Sequence, residues 1–265
     1  MAKLNNDMSF DGGFGNLSVY RMKGVDRQIV RTKGGATREK IKKSPAFVKT
    51  REQNSEFGGC SKAATNIRIA LSSLQHLADY GIAGSLTGLA TSIQKLDVNG
   101  IPGQRSISIS KYCHSLEGFN LNKKLTFDGV VRQPLSCTLS RDMLNAIVQL
   151  PNLIPGINFY IPGAYPLFRI IAEVGVVPDM VYTLLGYQPA NINTNLYHTS
   201  VATDWASTAV AFPTQTLELT LNNNVNLDET SSLMLSAGIE FGMPVTDSLV
   251  VPIKNVGCAK ILLLA

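Results

Sequence analysis

From Gly129 onward the chain is a succession of short apolar runs broken by Pro, Gly and Asn, and two of these runs alternate strictly. Leu217, Leu219 and Leu221 oppose Thr216, Glu218 and Thr220, while Leu233, Leu235, Ala237, Ile239 and Phe241 line one face of the longest run. Period-two alternation is the pattern of a strand with one buried face. The runs at 135–140, 145–150, 157–161, 167–174, 180–186, 207–212, 215–221, 232–241, 249–253 and 256–264 are therefore predicted as strands. Many short strands at this spacing indicate an antiparallel β-sandwich or jelly-roll-like domain. Nothing alternates in βαβ fashion, so a nucleotide-binding α/β fold is not expected.

A helical period precedes the strands. Thr37 is placed to cap a short turn through Lys43, and Ser44-Pro45 to open a helix toward Phe57 that Gly58-Gly59 would end. From Ser61 to Asp79 the residues Ala63, Ala64, Ile67, Ala70, Leu71, Leu74, Leu77 and Ala78 recur at helical spacing, and Gly81 closes the run. A second amphipathic segment from Ser85 to Leu96 completes an αα-hairpin. The predicted organisation is a basic N-terminal arm over 1–36, a helical segment over 37–98 and the β-sandwich over 99–265, an α+β chain that is mainly β.

The arm alternates too. In GNLSVYRMKGVDRQIVRTKGG, residues 15 to 35, Leu17, Val19 and Arg21 point one way and Ser18, Tyr20 and Met22 the other. Lys23-Gly24-Val25-Asp26 supplies a turn, and Arg27 to Arg31 resumes the extended pattern, which makes a β-hairpin. Such a ribbon is marginal in water and needs a sheet or a partner to lie on.

Charge is unevenly spread. Residues 21–51 hold eleven Lys and Arg against Asp26 and Glu39, a net +9, whereas residues 170–265 hold Lys254 and Lys260 against eight acids, a net −6. This asymmetry suggests a polyanion partner, an interaction arm, or an arm folded on its own domain. The arm residues expected to meet a partner are Leu17, Val19, Arg21, Lys23, Arg27, Ile29, Val30, Arg31, Lys33, Arg38, Lys40, Lys42 and Lys43. The acidic receiver is expected among Glu173, Asp179, Asp204, Glu218, Asp228, Glu229, Glu240 and Asp247.

Catalytic signatures are missing. His76, His114 and His198 lie far apart in sequence, and Cys60, Cys113, Cys137 and Cys258 form no CxxC, so no metal site or disulfide framework is indicated. Lys33-Gly34-Gly35-Ala36-Thr37 lacks the Lys-Ser/Thr pair of a phosphate loop, and Cys113-His114 are neighbours in sequence, where an oriented thiol–imidazole bond seldom forms. The aromatics between Pro151 and Pro189 lie in the acidic half, away from the basic arm, and read as core; Trp205 suits a core anchor or an interface equally. No catalytic residue, cofactor or metal is expected. No run reaches the ~18 apolar residues of a membrane span. The start lacks a signal-type apolar region, so synthesis in the cytoplasm is expected, with an extracellular filament or particle as one destination.

The opening pattern is a Gly-Asn before a short strand, a Lys-Gly turn and Val-Arg-Thr-Lys-Gly-Gly, then a polar stretch with Thr37-Arg38-Glu39-Lys40 and Lys49-Thr50-Arg51-Glu52-Gln53. It resembles the start of uncharacterised Bacteroidota proteins over residues 15 to about 80. That resemblance implies a bacterial origin and a strand–turn–strand ribbon leading into a helix and a β-rich remainder, and carries no activity. The function expected is non-enzymatic: a self-assembling subunit of a filament, tube or phage-like particle, joined head to tail through the arm by adding strands to a neighbour's sheet. The alternatives are a coat-type protein whose basic arm binds nucleic acid or another polyanion, and a carbohydrate- or surface-binding β-sandwich.

Overall fold

The computed structural model describes residues 2–3, 11–22, 27–191, 196–221, 227–246 and 249–265, in two compact units, Met1–Arg51 and Glu52–Ala265. The predicted turn at 23–26, with Lys23, and the acidic candidate Asp247 lie outside the described residues.

The first unit holds four short strands: β1 (Ala2–Lys3), β2 (Gly12–Phe14), β3 (Leu17–Tyr20) and β4 (Ile29–Thr32). The expected pairing of β3 with β4 is present, with Leu17 opposite Thr32 and Tyr20 opposite Ile29. It does not stand alone. The sheet runs β1-β4-β3-β2, so both sides of the ribbon are already paired. Gly15, with φ of +51°, takes the first corner of the tight turn that joins β2 to β3, a backbone state glycine adopts freely. Thr37 caps α1 (Arg38–Lys43) as expected, its hydroxyl accepting from the Lys40 N–H. The Arg51 guanidinium donates to the Ile41 and Ser44 carbonyls, satisfying groups at the end of α1.

The predicted stop at Gly58-Gly59 and fresh helix over 61–79 are corrected. One helix, α2, spans Val48–Ile69, and tight turns with a 3-10 turn at Gln75–Leu77 follow it. Each mid-helix glycine costs about 1 kcal/mol relative to alanine, and burial of Cys60, Ala63, Ala64 and Ile67 offsets this. Gly59 has a positive role as well: a Cβ there would sit 2.6 Å from the Tyr187 ring. The next helix, α3 (Ile82–Gln94), begins three residues earlier than Ser85 and buries Ile82, Leu86, Ala90 and Ile93. A single turn, α4 (Phe127–Val130), is capped by Thr126.

The second unit is mainly β, and its main sheets are antiparallel. A three-stranded sheet joins β5 (Ser136–Ser140), β6 (Asn145–Leu150) and β12 (Gln215–Thr220) in the order β12-β6-β5. The larger sheet has the order β10-β7-β13-β14, from β7 (Leu167–Pro178), β10 (His198–Ala202), β13 (Ser231–Pro244) and β14 (Val250–Leu264), with β11 (Ala206–Ser207) also beside β7. A separate hairpin pairs β8 (Met180–Thr183) with β9 (Gly186–Pro189).

Two cores lie on the two faces of the large sheet. Leu233, Leu235, Ala237, Ile239 and Phe241 pack toward the small sheet with Val148, Leu217, Leu219, Ile170 and Val174, as their alternation predicts. On the other face Met234, Ile171 and Ile261 meet Ala63, Ile67, Leu71, Leu86 and Ile93 from the helical layer. Gly175 permits close approach there, since a Cβ would lie 2.7 Å from that of Ala70. Residues 52–98 thus share a core with the strands that follow.

Several predicted strands change. At 157–161 and 207–212 the chain makes little more than isolated bridges, Phe159 to Val131 and Phe212 to Leu153, because turns interrupt it and Pro155, Pro162 and Pro213 flank it. The run at 180–186 is split by a hairpin turn, and 249–253 with 256–264 form one continuous strand. β9 and β10 were not foreseen, being short, polar and, apart from Tyr187, without a buried residue.

Candidate functional site

Among the described residues of the first unit, several basic side chains are engaged by its own sheet and others lie on its helix. Arg31 lies over the Tyr20 ring at 5.3 Å, Lys33 donates to the Gly15 carbonyl, and Arg21 is 3.8 Å from Asp11. Arg27, Arg38, Lys40, Lys42 and Lys43 are exposed. The three lysines fall in the last turn of α1, where cations interact favourably with the helix dipole.

The apolar members of the arm divide. Val19 and Ile29 are buried and Val30 half-buried, which corrects their assignment to a neighbour's surface. Exposed instead are Leu17 and its cross-strand partner Phe14, which is 73% exposed. In this sheet β1 pairs with β4 and β2 with β3, so β1 and β2 hold the outer positions.

The acidic set is not one surface. Glu173, Asp179 and Glu240 are buried and bonded within the second unit, so they are not available as receivers. Asp179 accepts from the Ser110 N–H and hydroxyl at 2.8 and 2.6 Å. Asp228 is half-exposed and organises its own turn, accepting from Thr230, Ser231 and Asn191. Asp204, Glu218 and Glu229 remain exposed.

Glu173 and Glu240 anchor two polar clusters under the helical layer, with partners that lie far away along the chain. Ser72 Oγ and the Ser73 N–H donate to Glu173, each at 3.1 Å, and His198 Nδ1 is 3.2 Å away. Burial pushes the Glu173 carboxyl up, beyond what the hydrogen bonds from Ser73 and Ser72 recover. Glu240 is held by Arg169 Nε at 2.6 Å and His76 Nε2 at 3.0 Å. Burial pushes it up too, but these two partners outweigh burial and leave it below the usual carboxyl range.

Serine, histidine and glutamate together invite comparison with a nucleophilic triad, and the geometry differs from one. In a triad the imidazole stands between hydroxyl and carboxylate. Here Ser72 Oγ bonds Glu173 directly and lies 3.1 Å from both ring nitrogens of His198. The Ser73 N–H, the adjacent donor an oxyanion would need, is spent on the same carboxylate. The cluster ties the turn after α2 to β7 and β10. Cys113-His114 does not pair either, since His114 turns to Glu117 at 2.8 Å. Among the described residues no group of three or more His, Cys, Asp or Glu is placed to hold a metal, and no helix is long and apolar enough to cross a membrane.

The surface feature that sequence reasoning missed is the tip of the β8–β9 hairpin. Leu184 and Leu185 occupy the corners of its turn and are 105% and 86% exposed. Polar residues usually take such corners. Residues 180–203 contain no Asp, Glu, Lys or Arg, which is the signal that could have marked the segment. A second exposed apolar set, Met243, Val245, Leu249 and Val251, lies on the hairpin between β13 and β14, where Met243 opposes Val251.

Compared with protein-family models, curated proteins and solved structures, the chain matches none of them.

Proposed function

We propose that the chain is a non-enzymatic structural protein, a self-assembling subunit of a filament, tube or phage-like particle. The first unit of one copy meets the second unit of the next, head to tail. The observation that carries this reading is the opposite charge of the two compact units. Residues 1–51 hold 12 Lys and Arg against 4 Asp and Glu, a net +8, and residues 52–265 hold 12 against 15, a net −3. Such complementarity steers copies together and orients them. The exposed Phe14–Leu17 pair supplies apolar area beside the charge, and Asp204, Glu218 and Glu229 are among the exposed acids of the receiving unit.

Sedimentation velocity across a salt series tests it. Oligomers larger than a dimer are expected at low salt, shrinking as salt screens the charges, and a Lys40→Glu/Lys42→Glu/Lys43→Glu variant is expected to stay monomeric. A wild-type chain that is monomeric at every salt concentration sinks the reading.

The exposure of Arg38, Lys40, Lys42 and Lys43 on one short helix favours a second reading, a coat-type protein that binds nucleic acid. Copurifying nucleic acid, seen as a raised 260/280 nm absorbance ratio that high salt removes, would favour it over self-association.

A further inference from the structure

Where the two sheets end, at edge strands β5 and β14, the second unit opens into a cavity of about 560 Å³. That is within the roughly 300–1,000 Å³ range of small-molecule sites. Its apolar lining is Phe127, Val131, Leu135, Cys137, Leu262 and Leu263.

The backbone is shaped for this lining. Leu263 pairs with Leu235 and Ile261 with Ser236, which leaves Leu262 without a partner in a β-bulge. Consecutive strand residues ordinarily point to opposite faces, and a bulge re-aims one of them. Leu262 and Leu263 accordingly both line the cavity.

Three charges stand around it. Lys260 Nζ donates to both oxygens of Asp128, at 2.9 and 2.8 Å, and the Arg132 guanidinium lies over the Tyr160 ring at 5.3 Å. Asp128 neutralises one cation, so the lining carries a net positive charge next to apolar walls. Gln133 adds a side-chain amide.

We propose that this cavity binds a small amphipathic anion, a carboxylate carried on an apolar chain or ring. The body packs on Phe127, Val131 and the two bulge leucines, and the head group lies between Arg132 and Lys260. An uncharged isostere loses the charge-assisted contact, and a cationic one meets the uncompensated Arg132 guanidinium.

Octanoate, octanamide and octylammonium, titrated into the full chain by calorimetry, test the class of ligand. Octanoate is expected to bind about tenfold more tightly than octanamide, the scale of one charge-assisted contact. Arg132→Gln, a change at an exposed side chain, is expected to erase most of that advantage. The place is tested by alkylation with iodoacetamide: octanoate is expected to slow modification of Cys137, which lines the cavity, and to leave Cys113 unaffected. Equal binding of octanoate and octanamide, no binding at all, or Cys137 left unprotected overturns the proposal. So does protection of Cys137 by raised protein concentration alone, which would assign the cavity to a second copy of the chain.

Discussion

Arg169 on β7 and Glu240 on β13 face each other directly across adjacent strands, and their charged groups meet at 2.6 Å. The guanidinium also rests on the Trp205 ring, 4.7 Å from its centre. One side chain therefore neutralises a carboxylate that is almost wholly removed from water and covers an indole face.

Arg169→Leu is expected to destabilise the protein by about 3 kcal/mol, because it takes the guanidinium from a buried carboxylate and leaves His76 as its other side-chain partner. Urea unfolding at neutral pH measures this. The folded state holds Glu240 below its unfolded value, so its contribution is full above the unfolded value and is lost as pH falls through the folded one. The variant should therefore show a shallower decline of stability on the acid side.

Glu173 should behave in the opposite sense. Its carboxyl is raised in the folded state, so stability falls as pH climbs from the unfolded value through the folded one. Glu173→Gln removes that slope and still accepts from Ser72 and Ser73. The expected outcome at neutral pH is stability equal to or above wild type, where Glu240→Gln loses stability. Scanning calorimetry from about pH 4 to about pH 8, a range spanning the carboxyl and imidazole titrations, separates the two.

Adjacent glycines in α2 predict opposite effects. At Gly58 a Cβ would meet nothing within 4 Å, so Gly58→Ala should stabilise by about 0.5–1 kcal/mol through helix propensity. Gly59→Ala drives a methyl into the Tyr187 ring and should destabilise by about 1–3 kcal/mol, the cost of overpacking. Chemical denaturation of the two single variants checks the sign of each.

Leu184→Asp/Leu185→Asp changes side chains that make little contact within the chain, so thermal stability should move by no more than about 0.5 kcal/mol. Self-association, followed by sedimentation at fixed salt, should weaken. If association is unchanged, the tip lies outside the contact.

The inner face of β13 was legible because Leu233 to Phe241 alternate, and alternation reports burial on one side. Its other face was not. Ser232, Ser236 and Glu240 read as polar, yet they are buried because a helical layer covers them, and Glu240's partners come from distant parts of the chain. The charge count of the acidic half was correct as a sum and misleading as a surface, since a formal charge does not reveal a hydrogen-bond partner. Gly58-Gly59 read as a stop because local propensity was the available information, and Tyr187 decides the matter from far along the sequence. Leu184 and Leu185 resemble core residues in composition, and their exposure follows from the turn between β8 and β9.

Strand β13 is the seam of the second unit. It is paired on both sides, buried from Ser231 to Gly242, and shared by both cores. In chain order the helical layer and most of the strands precede β13, the strand that joins them. The first unit, made early and from local pairings, can organise during synthesis, whereas the large sheet has no centre until the β13–β14 hairpin emerges. Without β13, β7 lacks its partner along Leu167–Pro178, so every bond on that edge waits for the last hairpin of the unit.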